Sequence, residues 1–279
     1  MDKAIIFGMF DFVSFHVCKT LLNRGIEVKG IHIEEKENIH FLDEKRLEVG
    51  RNANFLEQSL LEWENDQEPV QANTSLIFSI YDLYMGKKEQ ILQYEDTTKP
   101  IIQYIEEHKN KVNIVFILPV QFLTNTFKGD EIEEFLSTIK NLVTNTQLVY
   151  LPAIYGPWQP SAYLFHQAIV SKFQKTELKN EVREWTNDVL FIDDALESIF
   201  EIMKTEKAGS YLLESGKKNH WFRCAAYLNV NENQADTNSP KPFKVNSPIE
   251  KVLVKKVTPI MDSMRTQIEH VKRLYSNRL

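Results

Sequence analysis

The sequence predicts an α/β fold: a doubly wound, mostly parallel sheet with a small C-terminal α/β lobe. Three observations carry that prediction. First, an apolar strand (Ala4–Phe7) meets Gly8, and a helix follows with Val13, Val17 and Leu21 on one face. Gly25 stops that helix and a second strand begins, which completes a βαβ unit. Second, strand and helix patterns alternate without internal repeat as far as Ala153, as a parallel sheet covered by helices requires. Third, shorter strands and helices beyond Tyr155 are interrupted by Asn229–Pro248, rich in Asn, Ser and Pro, which reads as a long mobile loop. The expected division is residues 1–154 for the sheet domain and 155–279 for a lobe interleaved with the last sheet elements.

The elements follow in order. Ile26–Ile33 alternates apolar with polar residues, as a strand does, and ends at the acidic pair Glu34 and Glu35. Lys36–Arg51 is polar, with Phe41 and Leu47 as apolar contacts, and predicts a short helix and loop. Asn52–Trp63 supplies a third strand and its turn, and Thr74–Tyr81 a buried fourth strand. Lys87–His108 is helical, with Pro100 resetting the helix start. Val112–Val120 is a fifth strand and Gln147–Ala153 a sixth. Between them Lys128–Val143 carries a core stripe of Ile132, Phe135, Leu136, Ile139, Leu142 and Val143. At the far end Thr258 is placed as an N-cap, with Pro259 in the first helical position.

Composition narrows the function classes. Hydrophobic content of 43% and charged content of 26% describe an ordinary globular chain long enough for a sizeable core. No run of 18 apolar residues exists, so neither a membrane span nor a secretory signal is expected. A formal charge of -6 argues against nucleic acid as partner. Cys18 and Cys224 are too few for a disulfide framework, which points to a reducing cytoplasm. The seven histidines show no HxxxH or HExxH spacing, so no metal site is expected.

Four later segments add a resemblance. Leu151-Pro-Ala-Ile-Tyr-Gly-Pro157-Trp-Gln159, Val189–Ile199, Ala208–Gly216 and Thr258–Lys272 resemble PxxVYGPxQ, HVDDVAxAI, GxYNxGxG and TPLEEGLRxTIEW, in that order. These are segments of the extended short-chain dehydrogenases, the family of the NAD-dependent sugar-nucleotide epimerases and dehydratases. The resemblance implies a Rossmann-type sheet that binds NAD(P) at the turn after the first strand. There the family carries GxxGFxG, whereas this chain reads Gly8-Met-Phe-Asp11-Phe12-Val13-Ser14. Gly8 and Phe12 match; Asp11 and Ser14 replace glycines that let backbone approach a pyrophosphate and a helix pack closely on a strand. A carboxylate there repels phosphate, by roughly 1 kcal/mol in water at 4 Å and several times that when desolvated. Two readings of Asp11 stand side by side. It caps the helix and supplies internally the charge a pyrophosphate brings, or the turn is shifted and still admits a cofactor.

The resemblance places further positions, and many depart. Glu34 stands where a ribose hydroxyl is held, and Ser59 where an adenine-reading Asp is usual. Bulky Ile80 and Tyr81 stand where small residues let nicotinamide lie. The serine expected beyond the fifth strand is absent from Leu118-Pro-Val-Gln121, and the YxxxK window falls on Thr124 and Lys128, with threonine in place of the tyrosine acid. Asp193 and Asp194 are read as structural. Tyr81, Tyr155, Trp158 and Gln159, with Tyr163, are candidates to line a surviving cleft. The expectation is a catalytically degenerate binding, scaffolding or regulatory protein that holds no cofactor tightly, NAD if any. Its partner is a protein or small molecule, with a homodimer left open. The competing expectation is an active NAD-dependent sugar-nucleotide enzyme with atypical residues.

Overall fold

The computed structural model describes residues 1–33, 41–66, 73–124, 129–174, 178, 183–230 and 248–276. Two compact units emerge: Met1–Leu118, Lys128–Val149 and Phe200–Ser210 form the first, and Pro119–Phe127, Tyr150–Ile199 and Tyr211–Leu279 the second. Compared with the expected boundary, Pro119–Phe127 and Tyr150–Ile154 cluster with the second unit and Phe200–Ser210 with the first.

The expected α/β architecture is present. Strands β1 (Lys3–Phe7), β2 (Glu27–His32), β3 (Phe55–Ser59), β4 (Thr74–Ser79), β5 (Val112–Pro119) and β6 (Thr146–Leu151) precede a short separate pair, β7 (Ala153–Tyr155) with β8 (Val189–Phe191). β9 (Gly209–Glu214) and β10 (Glu250–Leu253) complete an eight-stranded sheet in the order β10-β9-β6-β5-β4-β1-β2-β3. β1 runs parallel to β2 and to β4, with Ile6 opposite Gly30 and Ile77. All five residues of β1 and all six of β4 are buried, as strands covered on both faces must be. Because β1 sits between β2 and β4, the winding reverses there, and the crevice over the carboxyl ends of β1 and β4 is where such sheets present ligand sites.

Helices α1 (Phe12–Asn23), α2 (Leu42–Val49), α3 (Leu60–Glu64), α4 (Ile80–Met85), α5 (Glu95–His108) and α6 (Asp130–Leu142) belong to the first unit. α7 (Leu164–Val170), α9 (His220–Tyr227) and α10 (Ile260–Ser276) belong to the second, and α8 (Ile192–Thr205) is divided between the units. Gly25 follows α1 with φ +78°, as its stop position requires.

Several boundaries differ from the expectation. β4 ends at Ser79, whose hydroxyl accepts the N–H of Asp82, so Ile80 and Tyr81 begin α4 rather than ending the strand. Pro100 lies in the second turn of α5, whose start at Glu95 follows a separate 3-10 turn. Leu47 is 72% exposed and Lys45 is buried, the reverse of what their polarity suggests. The sixth strand stops at Leu151, and Ala153 pairs with Val189 instead. Thr258 does not cap α10 as expected; its N–H and hydroxyl both donate to Asp194, each at 2.7 Å. Asp194 thereby ties the entry of α10 to α8, the structural role read from the sequence. Most of the loop placed at Asn229–Pro248 lies outside the described residues.

Candidate functional site

The site is built on the turn from β1 to α1. Gly8 takes φ +67°, where a side chain would be strained and where an added Cβ would meet Asp11 Oδ2 at 3.0 Å. The Asp11 N–H donates to the Gly8 carbonyl at 3.0 Å, and the Phe15 N–H donates to the Asp11 carbonyl at 2.9 Å, which starts the helix. The N–H groups of the first turn then point outward with no partner inside α1. Met9 passes over Gly30 of β2, where a Cβ would lie 2.6 Å from Met9 Cγ, so the neighbouring strand needs its glycine.

Those outward N–H groups are taken by Asp82. The Val13 N–H donates to both Asp82 carboxylate oxygens at 3.0 Å, and the Ser14 N–H donates to Oδ2 at 3.0 Å. Asp82 lies in the first turn of α4, so one buried carboxylate faces the N-terminal turns of two helices, where negative charge is favoured. Burial pushes the Asp82 carboxyl above its ordinary value, against the pull of these N–H groups and of Lys45. The capping role expected of Asp11 is therefore not met. Asp11 occupies the N-cap position of α1 without a side-chain cap bond; its carboxylate turns over Gly8 and stands 3.6 Å from Lys88 Nζ.

Two lysines balance the two carboxylates. Lys45 of α2 is 6% exposed and donates to the Phe10 carbonyl within the turn. Burial lowers its pKa from the ordinary 10.5 to about 8, with Asp11 and then Asp82 pulling the other way. Beside the turn, the space bounded by Gly8, Met9, Phe10, Asp11, His32, Ile33 and Leu83 amounts to about 10 Å³, room for a single water. Toward the ends of β2 and β3 a second ionic cluster closes the surface. His32 Nε2 lies 2.6 Å from Glu57 Oε1, and Arg46 Nε donates to both Glu57 oxygens at 3.1 and 3.0 Å. Burial works to raise the Glu57 carboxyl, but the bonds from Arg46 and His32 outweigh it and hold it below its usual value. Arg46 and His32 also pack on the Phe10 ring, at 5.9 and 5.1 Å from its centroid.

The remaining sequence candidates scatter. Ser59 caps α3: Glu62 N–H donates to its hydroxyl at 3.2 Å, and its own N–H donates to Glu62 at 2.6 Å. Tyr81 is 1% exposed. In the second unit Tyr155, Trp158, Gln159 and Tyr163 are 1–6% exposed. They are interior packing there, and several of their polar groups are met from within. Tyr155 Oη lies 2.7 Å from Ser263 Oγ, the backbone N–H of Trp158 donates to His270 Nδ1 at 3.3 Å, and Gln159 Oε1 accepts from Gln267 Nε2 at 2.6 Å. Burial pushes the Tyr155 phenol far above its ordinary range. The Thr124 hydroxyl donates to the Gln121 carbonyl at 2.7 Å. Glu34 and Lys128 lie outside the described residues.

Sequence reasoning missed Asp82 and Lys45. A signal for the first was present: Ser79-Ile-Tyr-Asp82 is an S-x-x-D helix start directly after a strand. Nothing in the polar run around Lys45 marks it as buried. Among the described residues no group of His, Cys, Asp and Glu is placed to hold a metal ion, and no helix is long and apolar enough to cross a membrane.

No protein-family profile and no curated protein sequence matches the chain. Solved structures do. UDP-glucuronic acid 4-epimerase from Bacillus cereus, solved with UDP-glucuronic acid and NAD, is 16% identical, with TM-score 0.67 over 98% of this chain and 100% of its own. The NAD-dependent NDP-hexosamine 5,6-dehydratase TunA of tunicamycin biosynthesis gives 13% identity and TM-score 0.67 over 98% of each chain. dTDP-glucose 4,6-dehydratase from Bacillus anthracis str. Ames, solved with NAD, gives 9% and 0.63 over 99% of this chain and 97% of its own. The chain has the fold of the NAD-dependent epimerases and dehydratases. A pyrophosphate at this helix N-terminus would call on the N–H groups that Asp82 takes.

Proposed function

We propose that this chain is a non-catalytic binding, scaffolding or regulatory protein on a dinucleotide-binding fold, with its pyrophosphate seat filled from within. The observation that carries the reading is the buried Asp82 carboxylate on the Val13 and Ser14 N–H groups. An entering pyrophosphate has to displace that carboxylate and meet Asp11 as well, and each like-charge contact at 4 Å opposes binding by about 4 kcal/mol near a protein surface. Thr124, in the place of the tyrosine acid, has a hydroxyl far too weakly acidic for proton transfer near neutral pH and already bonded to Gln121. The same reading places the protein in the cytoplasm, with a protein or a small molecule other than NAD(P) as partner.

Calorimetric titration with NAD, NADH, NADP and NADPH tests it. No saturable heat is expected, and no turnover of common nucleotide sugars. A micromolar or tighter dissociation constant for any of the four sinks the reading.

A further inference from the structure

A second cavity lies wholly within the second unit and has no part in the filled seat. Its volume is about 440 Å³, inside the 300–1,000 Å³ range of small-molecule sites. Val120 directly follows β5, Pro152 directly follows β6, and Leu212 to Gly216 form the end of β9 and its exit, so the cavity gathers residues at strand carboxyl ends. That is the side on which open α/β sheets bind ligands.

The chemistry of the lining is specific. Val120, Leu212 and Leu213 are 0–3% exposed and make an apolar floor, with half-buried Trp185 as the aromatic wall. Two acids line the cavity, and both are engaged. Asp188 accepts from the N–H of Val189 at 2.8 Å and from the N–H and hydroxyl of Ser215 at 2.7 and 2.6 Å. Glu214 pairs with Lys251 at 2.9 Å. The two bases are not engaged: Lys217 and Lys218 are exposed and form no ion pair among the described residues. The backbone holds them at the rim, because Gly216 (φ +66°) and Asn219 (φ 53°) bracket them with left-handed turns. Asn219 is the N-cap of α9 but gives it no side-chain cap bond, so the positive end of that helix adds to the lysines' field.

We propose that this cavity binds a small aromatic anion: a flat apolar body against Trp185 and the leucine floor, with one carboxylate, sulfonate or phosphate group at Lys217 and Lys218. Apolar area supplies affinity, and the two ammonium groups select for charge.

The test uses the whole chain and two fluorescent probes of like shape, 8-anilino-1-naphthalenesulfonate and neutral N-phenyl-1-naphthylamine. All four tryptophans emit and can transfer energy to a bound naphthalene, so the share of Trp185 is read as the difference between the parent and Trp185→Phe. The sulfonate is expected to bind once per chain and to quench Trp185. Replacing both lysines (Lys217→Gln with Lys218→Gln) is expected to weaken the sulfonate at least about tenfold, the loss of roughly one charge-assisted contact, and to leave the neutral probe within about twofold. Trp185→Phe, which keeps an aromatic wall, retains binding and loses the Trp185 share of the quench, whereas Trp185→Ala weakens both probes. Sulfonate affinity indifferent to the lysine pair overturns the anion, binding indifferent to Trp185→Ala overturns the site, and the absence of saturable binding overturns both. NAD binding unaffected by these variants would count against the filled seat alone.

Discussion

Removing the Asp82 carboxylate should loosen the first unit at a defined point. In Asp82→Ala the buried Val13 and Ser14 N–H groups lose their acceptor, and Lys45 loses one of its counter-charges. Hydrogen bonds to a charged group contribute about 1.5–3 kcal/mol each, and an anion at a helix N-terminus up to about 2. Relief from burying a charge offsets part of this, so the net loss is about 3–5 kcal/mol, as for other broken buried pairs. Asp82→Asn keeps one acceptor oxygen and should lose about 1–2 kcal/mol. Urea denaturation followed by circular dichroism measures both, and the Ala variant should melt on the order of 10 °C lower. Millimolar pyrophosphate at fixed ionic strength should leave the parent protein unmoved and raise the melting point of Asp82→Ala. An Asp82→Ala variant within about 1 kcal/mol of the parent refutes the reasoning, because α1 would then not depend on that carboxylate.

The other predictions bear on the same turn. Asp11→Gly should cost less stability than Asp82→Ala, since Asp11 makes no cap bond, its ion pair with Lys88 is partly exposed, and what is lost is chiefly a counter-charge to Lys45. Adding Ser14→Gly should still leave NAD titrations flat, and a micromolar affinity in that double variant would show that the lost glycines, not Asp82, close the seat. Lys45→Met isolates one buried charge through pH. Lys45 releases its proton near pH 8 when folded and near 10.5 when unfolded, so between these values the unfolded chain holds more protons and stability rises with pH. Relative to Lys45→Met, the parent should therefore gain on the order of 3 kcal/mol between pH 7 and 11. A flat difference between the two would place Lys45 in a more solvated setting.

What the sequence disclosed and what it withheld divide along physical lines. β1, α1 and β2 were legible because burial on both faces forces apolar runs, and because Gly8 and Gly25 mark φ values that other residues avoid. The core stripe of α6 was legible for the same reason of periodicity, with Ile132, Phe135, Leu136 and Ile139 all buried. Polar groups at the site were harder. Lys45 and Leu47 lie two apart on α2, and hydrophobicity alone puts the wrong one inside. Lys45 is buried because a backbone carbonyl and two carboxylates meet it there, and those partners come from elements far away in sequence. Tyr155, Trp158 and Gln159 carry the side chains of a cleft and the burial of a core. Their partners on α10 lie more than a hundred residues on, where no local pattern reaches.

The two carboxylates of the turn are not equivalent, and the difference decides whether the seat can be reopened. Asp11 changes the shape and charge of an entrance; a substitution can undo that. Asp82 competes for the same N–H groups as a phosphate, and it does so from within the fold. A free dinucleotide gives up about 4–15 kcal/mol of translational and rotational freedom on binding, a loss Asp82 has already taken as part of folding. The charge balance adds to that advantage. Among the described residues Asp11 and Asp82 face Lys45 and Lys88, two against two, so these lysines are already matched before a pyrophosphate enters. Glycines at positions 11 and 14 would widen the turn without supplying the missing donor groups or the missing positive charge. In the proposed reading it is Asp82, with Lys45 beside it, that closes the seat, and restoring glycines at positions 11 and 14 alone does not reopen it.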